Sequence, residues 1–368
     1  MLGGYQHEKT CRGRTLVSGS KDGTIRFWTA GPGRPSPERM IPQTGIPLGF
    51  SPDSRRLMIE TTDNAIRIWD IVDQKEVETI QLPDTALRVR FDGNTAINGK
   101  TISEDGRRLA VRLTNSAVHI WDLETRQTNI LPEHEQVRRA GSFARTRLAF
   151  SRDGRVLAAG DYWPDLGGRA SVGIVRMWDL PSLRAGEFSI ATRIWDPGLP
   201  PALALSPTGN LLATGSTDNG TRLWDLNAQR ELLVLSGPRG DALSLAFSPD
   251  GKLLAGGFRD HTVWLWEVPS GRRRALLKGR RAVVNWVAFS PDSKTLVSGG
   301  SDDLVELWNI AAARSVLTLK APLGLFSPDG NSFLLAQSYN LLENPLIKLL
   351  RPDSLAQIDS EIAGGEKH

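Results

Sequence analysis

The sequence predicts an all-β protein: a toroidal β-propeller of four-stranded antiparallel blades, with eight blades favoured and seven as the alternative. The first observation is a tryptophan that ends an alternating apolar segment in seven units, at Trp28, Trp69, Trp121, Trp178, Trp224, Trp266 and Trp308. The second is a turn sequence of the Phe-Ser-Pro-Asp-Gly type, which recurs in the same phase at 50–54, 150–154, 205–209, 247–251, 289–293 and 326–330. Because one such unit cannot bury both of its faces alone, the recurrence indicates small sheets that stack on one another.

Residues 242–278 show how one unit is built. Four segments of strand length, rich in apolar or β-branched residues, occupy 242–247, 252–257, 262–266 and 273–278. Between the first two, Pro249 presets φ for a turn and Gly251 accepts a positive φ, while residues 259–261 close the next hairpin. The small residues of the second segment suit crowding near a central axis, and Trp266 fills the space to the neighbouring sheet. Each unit is therefore predicted to form one antiparallel sheet.

Eight units of this kind follow one another in a single domain. We place them at about 1–43, 44–83, 84–132, 133–193, 194–236, 237–279, 280–320 and 321–360, with 361–368 as a tail. The small-residue second strand recurs at 16–20, 212–216, 254–257 and 296–300. In the eighth unit, residues 347–350 (IKLL) carry leucine where the other units carry tryptophan.

These residues resemble the WD-repeat β-propeller family, whose units of about 40–45 residues share this strand and turn order. The Trp-Asp ending of the family occurs directly at 69–70, 121–122, 178–179 and 224–225, while Thr29, Glu267 and Asn309 replace the aspartate elsewhere. Gly279-Arg280 stands where the family carries a Gly-His step. The resemblance implies a non-catalytic scaffold for protein or peptide partners, whose binding surface is the face with the longer loops.

Ring closure is the point on which the blade count depends. The resemblance implies closure by one blade shared between the two ends of the chain, but the sequence shows no leftover strand for such sharing. Eight whole units would close a ring by themselves, and seven blades with one displaced terminal unit is the alternative. The first unit begins almost at Met1, which suggests a part of a longer protein. We expect either a monomer or a part of a larger multidomain chain or complex.

Composition restricts the class of protein. Hydrophobic residues make up 40%, charged residues 23%, and the mean hydropathy is -0.26, as in soluble globular chains. No run approaches 18 apolar residues and no secretory signal is visible, which excludes a transmembrane helix and argues against a membrane partner. The single Cys11 excludes a disulfide framework and a cysteine zinc cluster, and it favours the cytoplasm. The 45 basic and 41 acidic residues leave +4, which argues against nucleic acid.

Motifs that carry chemistry are few, so no catalytic, cofactor-binding or metal-binding residue is expected. Residues 93–101 end like a phosphate-binding loop, but the first glycine lies one residue too far away and no helix follows. The five histidines have no metal-ligand spacing, being His7, His119, His134, His261 and His368. The rival hypothesis is a propeller enzyme or small-ligand sensor that uses the central channel, which would require convergent titratable residues at blade entrances.

Two further repeated features have an ordinary structural interpretation. The hairpin aspartates could form a ring of carboxylates, but a role in capping their own turns is favoured, at Asp22, Asp63, Asp218, Asp260 and Asp303. The in-phase tryptophans could form ligand platforms, but burial between sheets is favoured. Of the four tryptophans outside the phase, Trp264 and Trp286 alternate with strand neighbours and are expected to pack, whereas Trp163 and Trp195 lie in extra sequence.

Three insertions predict the partner-binding surface. Compared with the most regular units, extra residues lie near 133–141, 161–171 and 193–198. The turn between second and third strands and the link to the next unit open on the same side of such a ring, here called the upper face. We expect the partner site there, at Tyr162, Trp163, Trp195, Arg138 and Arg139, with the turn-flanking residues Lys21, Thr62, Thr217 and Arg259. The alternative is that the aromatic residues fold back and seal the rim.

Charge near the aromatic residues indicates the chemistry of the partner. Arginine pairs bidentately with carboxylate and phosphate, so an acidic or phosphorylated peptide is the expected ligand. A second basic cluster, 272–274 with Arg280 and Arg281, lies around a fourth strand. Solvated residues that protect the outer strand are favoured there over a phosphate site, and no aromatic residues are interleaved.

Overall fold

A repeated run of short antiparallel strands builds the protein, as a computed structural model shows. The structure describes residues 15–19, 25–29, 39–61, 63–83, 90–91, 96–97, 100–103, 106–113, 117–131, 145–163, 171–182, 184–194, 202–215, 220–238, 242–280, 282–330, 333–336 and 346–350. For strands within 15–44, 90–97, 145–146, 162–174, 184–194 and 346–350 the backbone alone is described. All secondary structure in these ranges is β-strand, joined by turns and bends.

Six blades are each made of four consecutive strands. They comprise β4 (Ile46–Phe50), β5 (Arg56–Glu60), β6 (Ala65–Asp70) and β7 (Lys75–Gln81); β10 (Lys100–Ile102), β11 (Arg108–Arg112), β12 (Val118–Asp122) and β13 (Thr128–Leu131); β14 (Arg145–Phe150), β15 (Val156–Trp163), β16 (Ser171–Asp179) and β17 (Arg184–Ile194); β18 (Leu203–Leu205), β19 (Leu211–Gly215), β20 (Thr221–Asp225) and β21 (Arg230–Leu235); β22 (Ala242–Phe247), β23 (Leu253–Phe258), β24 (Val263–Glu267) and β25 (Arg273–Leu277); β26 (Val284–Phe289), β27 (Thr295–Gly300), β28 (Leu304–Asn309) and β29 (Arg314–Lys320).

A further four-stranded sheet joins the two ends of the described chain. It contains β30 (Leu323–Phe326), β31 (Phe333–Ala336), β32 (Leu346–Leu350) and, at its edge, β3 (Arg39–Thr44). Residue Ile41 of β3 pairs with Ile347 of β32, more than 300 positions later in the chain. Two pairs of strands stand apart, β1 (Thr15–Gly19) with β2 (Ile25–Thr29) and β8 (Arg90–Phe91) with β9 (Ala96–Ile97).

The favoured count of eight blades is wrong: the described residues form six blades of four consecutive strands, and the alternative of seven holds only if the sheet shared by the two ends of the chain is counted as a blade. The reason lies in the first predicted unit, 1–43. Its last strand, β3, pairs with the final unit instead of with β1 and β2. A strand is thus shared between the two ends of the chain, which the sequence did not reveal.

The turns that connect first and second strands follow from local chemistry. In the turn at 248–251, Ser248 Oγ donates to Asp250 Oδ1 at 2.6 Å and accepts from the N–H of Leu253 at 2.9 Å. Gly251 closes the turn with φ of 71°. The same position has positive φ in every four-stranded sheet of the described chain, at Ser54, Gly106, Gly154, Gly209, Gly251, Ser293 and Gly330. Such a backbone favours glycine, as the sequence predicted.

Hydrophobic clusters lie between neighbouring sheets and close the ring. Within the described residues, one cluster joins each sheet to the next. The sheet of β30–β32 and β3 meets the β4–β7 sheet where Leu334 packs with Phe50, Leu57 and Trp69. The first strands of neighbouring sheets, such as β18 and β22, contact one another, so they lie innermost.

The in-phase tryptophans lie within this packing to different degrees. Trp178, Trp266 and Trp308 are among the largest fully buried side chains described, and Trp69 is buried. Trp121 and Trp224 are half-buried. The side chain of Trp28 lies outside the described residues.

Candidate functional site

The β14–β17 sheet extends further than the other sheets on the upper face. Its strands β15, β16 and β17 contain 8, 9 and 11 residues, whereas β19 and β20 contain 5 each. In the extended part, Val172 of β16 lies opposite Trp163 of β15 on one side and Arg193 of β17 on the other. Part of the insertion near 161–171 and the start of that near 193–198 therefore form strands, where the sequence analysis expected loops.

The predicted partner-site residues are described to different extents. The backbone of Tyr162 and Trp163 ends β15, and the side chain of Arg259 is exposed in the turn between β23 and β24. The remaining members lie outside the described residues, namely Trp195, Arg138, Arg139, Lys21, Thr62 and Thr217. Their assembly into one patch stays a prediction.

Buried ion pairs support the upper ends of the second strands beneath this face. Glu60 at the end of β5 accepts a 2.5 Å contact from Lys100 Nζ, and both side chains are almost fully buried. In the neighbouring sheet, Arg176 Nε lies 2.6 Å from Asp161 Oδ2, also inside the protein. Burying such charges is costly unless they are paired, so each pair holds two elements in one arrangement.

The ion pair of Lys100 with Glu60 involves the lysine of the segment that resembles a phosphate-binding loop. Lys100 begins strand β10, and its ammonium group is engaged by Glu60 inside the protein. A phosphate-binding lysine must instead reach a ligand from a loop that precedes a helix. The described part of the segment therefore places its lysine in a buried ion pair.

Arg112 is a further buried charge on this side of the ring. Burial lowers the pKa of its guanidinium group, nearby Asp161 works to raise it, and the positive charge of Arg176 works to lower it. The sequence signal for these charges is positional. Glu60 and Arg112 stand three residues after Leu57 and Leu109, where later units carry Gly215, Gly257 and Gly299. This replacement of small residues by charges was not part of the prediction from sequence.

Arg280 occupies the place of the Gly-His step and is buried, which corrects the expectation of a solvated edge residue. Its guanidinium group donates to Asp302 Oδ1 at 2.6 Å and to the carbonyls of Ser298 and Leu304, each at 3.0 Å. Trp308 Nε1 donates to Ser298 Oγ at 2.9 Å, so the arginine, the serine and the tryptophan form one network. An arginine thus links the upper turn to the blade tryptophan.

The three consecutive arginines at 272–274 have different surroundings. Arg272 forms a bidentate ion pair with Glu267 at 2.8 and 2.6 Å. The Arg273 guanidinium lies 5.4 Å from the centre of the Trp264 ring, a distance typical of a cation–π contact. Arg274 is exposed. All three side chains are exposed, as expected for an outer strand, but Arg272 and Arg273 are engaged by Glu267 and Trp264.

Asp63 and Asp260 bond within their turns, whereas the third described turn uses Asp302 in place of the predicted Asp303. Asp260 Oδ1 accepts the N–H of Thr262 at 3.1 Å, and Asp63 accepts from Thr61 Oγ1 and pairs with Arg67 at 2.8 Å. A hydrogen bond from Thr61 Oγ1, followed by that from Arg67, lowers the pKa of Asp63 below its ordinary value of 3.8. These carboxylates stabilise local turns.

Arg147, on an inner strand, places a cation near the middle of the ring. Arg147 of β14 donates to the carbonyl of Leu243 in β22, two sheets away, at 2.5 Å, and desolvation lowers its pKa to about 10. Within the described ranges, no three His, Cys, Asp or Glu side chains lie together as metal ligands would. The same ranges contain no helix with the length and apolar character of a membrane span.

Comparison with protein families gives one result. The WD40 model, described as WD domain, G-beta repeat, matches residues 10–29, 201–225, 229–267 and 271–309. Each of the last two matches covers the fourth strand of one sheet and the first three strands of the next, namely β21–β24 and β25–β28. The chain matches no curated protein.

Proposed function

We propose that this chain, a WD40-repeat protein, is a non-catalytic scaffold that binds protein or peptide partners through the upper face of its ring. WD40 propellers typically mediate protein–protein interactions, and four segments of the chain match that repeat. The fold alone does not specify a function, so the proposal also depends on a local feature of this chain.

The extended β14–β17 sheet is the observation that carries the proposal. Its three long strands place Trp163 and Arg193 on either side of Val172, beyond the length of the other blades. Aromatic and arginine side chains supply most of the binding energy in protein interfaces. We assign the partner site to Tyr162, Trp163 and Trp195 with Arg138 and Arg139, flanked by Lys21, Thr62, Thr217 and Arg259.

The chemistry of these residues favours an acidic or phosphorylated peptide as the partner. Guanidinium groups bind carboxylate and phosphate with two parallel hydrogen bonds, and neighbouring aromatic rings exclude water from them. We further propose that the protein works in the cytoplasm, as a monomer or within a larger assembly.

A pull-down with the double variant Trp163→Ala and Trp195→Ala tests the upper face. Partners captured by the wild-type protein are identified by mass spectrometry and then quantified for the variant. The matched control is Val72→Ala with Ile130→Ala, which removes two exposed apolar side chains elsewhere on the ring. We expect capture to be lost for the tryptophan variant alone.

Circular dichroism verifies that both variants are folded. If the tryptophan variant captures every partner at the wild-type level, the aromatic residues only seal the rim and the partner site lies elsewhere. If both variants lose capture equally, the effect does not arise from the upper face.

A further inference from the structure

A cleft of about 450 Å³ opens between the β22–β25 and β26–β29 sheets. It lies at the turns between first and second strands and between third and fourth strands, on the side opposite to the upper face and here called the lower face. Its lining residues include three cations, Lys252, Arg274 and Lys294, and two carboxylates, Asp250 and Glu267. We propose that this cleft, the lower cleft, is a second binding site, for an acidic segment of a partner protein.

The lower cleft carries three cations whose charges are little neutralised by carboxylates of this chain. Lys252, Arg274 and Lys294 are all exposed. In the part of the chain that the structure describes, neither Arg274 nor Lys294 has an ion pair. Lys252 Nζ lies 3.9 Å from Asp250 Oδ2, the outer limit of such a contact. The cleft can therefore offer these charges to an external anion.

The two carboxylates of the lower cleft are engaged by other groups. Both oxygens of Glu267 receive hydrogen bonds from Arg272. Asp250 Oδ1 accepts from Ser248 Oγ at 2.6 Å and from the Lys252 N–H at 3.1 Å. Burial works to raise the pKa of Asp250, but these hydrogen bonds together lower it. Because the charges of Asp250 and Glu267 are already compensated by these partners, the two carboxylates repel an incoming anion only weakly.

Hydrogen bonds hold the walls of the lower cleft in place. The N–H of Asp250 donates to Ser293 Oγ at 3.2 Å, which ties the turn of one sheet to the turn of the next. Asn309 Oδ1 accepts the N–H of Ala312 at 2.8 Å and fixes the opposite wall, and Ile310 behind it is buried. A preformed site loses less conformational entropy when a ligand binds.

An acidic peptide fits this chemistry better than nucleic acid does. The residues that line the lower cleft include no aromatic ring on which a base could stack. The net charge of the chain is only +4, below what a nucleic-acid surface usually shows. A peptide carboxylate needs only the local cations, with Arg274 able to bind it bidentately.

The test uses the full chain and a fluorescently labelled octapeptide rich in glutamate, with a glutamine-rich octapeptide as the uncharged probe. Anisotropy titrations compare wild type with the double variant Arg274→Gln and Lys294→Gln. The matched control is Lys278→Gln with Lys320→Gln, which removes two exposed positive charges from the same two sheets outside the lower cleft. We expect the lower-cleft variant to bind the acidic peptide about tenfold more weakly and the control variant to bind as wild type does.

Three results would overturn the proposal. The first is wild-type binding of the acidic peptide no tighter than of the glutamine peptide, and the second is an equal loss in both variants. The third is tighter binding of a single-stranded oligonucleotide than of the acidic peptide, with the same dependence on Arg274 and Lys294. Capture of partners by the upper face is measured separately with the Trp163→Ala and Trp195→Ala variant, so failure of the peptide test leaves that face as a partner site. The first result alone would also count against an acidic ligand there.

Discussion

The backbone N–H of Asp329 donates a hydrogen bond to Oγ of Ser54, 275 positions earlier in the chain, at 3.1 Å. The same bond joins Asp250 to Ser293 in consecutive sheets, at 3.2 Å. In both cases the acceptor is a serine with positive φ at the end of a Ser-Pro-Asp-Ser turn. The sheets at the two ends of the chain therefore contact each other as sequential neighbours do.

Replacing Ser54 tests the contribution of this bond. The variant Ser54→Ala loses the acceptor and keeps the positive φ, so the free energy of unfolding should fall by about 0.5–1.5 kcal/mol. In Ser54→Gly the loss should be smaller, because glycine adopts φ of 57° without strain. Urea titrations of the three proteins measure both differences. Equal losses for the alanine and glycine variants would contradict the role of backbone strain.

Close packing around Gly299 excludes any larger side chain. A Cβ atom there would lie 2.1 Å from Nε1 of Trp286, so Gly299→Ala should displace the ring and lower stability by about 1–3 kcal/mol. Gly49→Ala is the matched control, since its Cβ would lie 3.8 Å from Ile102. Thermal unfolding of both variants provides the comparison. Similar melting temperatures would show that Trp286 moves aside without cost.

The buried guanidinium group of Arg280 should be needed for stability. Arg280→Ala leaves Asp302 and Glu306 without their cation, and we expect a loss of about 3–5 kcal/mol. Arg274→Ala, at an exposed position, should change stability by no more than about 0.5 kcal/mol. Arg280→His should recover part of the loss. Urea midpoints that are equal for the two alanine variants would contradict this network.

Buried tryptophans between sheets should dominate stability. Trp266 is fully buried, stacks at 6.1 Å on Trp264 and donates Nε1–H to the carbonyl of Ser236 at 2.7 Å. Trp266→Ala should therefore cost about 3–5 kcal/mol. Trp163→Ala, in the extended sheet, should cost much less. Denaturant titration measures the free energy of unfolding of both variants. An equally large loss of stability for Trp163→Ala would show that the Trp163 ring is buried in a core.

Acid should destabilise the turns through their aspartates. A hydrogen bond from Ser51, then one from the Arg55 amide, lowers the pKa of Asp53, and Thr61 and Arg67 lower that of Asp63. A lowered folded-state pKa means that the contribution to stability is complete above the ordinary value of 3.8 and is lost as pH falls through the folded value. We expect the urea concentration at the midpoint of unfolding to decrease once the pH is lowered below about 4. Asp63→Asn should show a weaker fall over that range.

Local features of this fold could be predicted from the sequence. Gly251 has the positive φ that its turn sequence predicts. The hydrogen bonds of Ser248 with Asp250 and Leu253 join residues at most five positions apart. Such contacts depend on residue type and spacing, which recur visibly along the chain. The strand and turn order of 242–277 therefore followed from the residues themselves.

Charged residues at the upper ends of the strands were harder to interpret. Arg280 appeared in a basic cluster with Arg281, and its sequence neighbours do not show that Asp302 and Leu304 surround it. Likewise, the sequence around Lys100 resembles a phosphate-binding loop, but Lys100 pairs with Glu60 of another blade. Burial and pairing of a charge depend on which blades become neighbours.

By itself, the sequence determined the repeat, the tryptophan phase and the class of fold, because each unit carries its own turn signals and apolar alternation. Only the tertiary structure decided how the ring closes and what the insertions become. Among the described strands of its own unit β3 has no partner, and it pairs with β32 from the far end of the chain. Residues 161–163 read as a loop by length, but cross-strand hydrogen bonds with β16 extend the sheet. Hydrogen bonds between distant strands are set by the assembled ring, which no single repeat encodes.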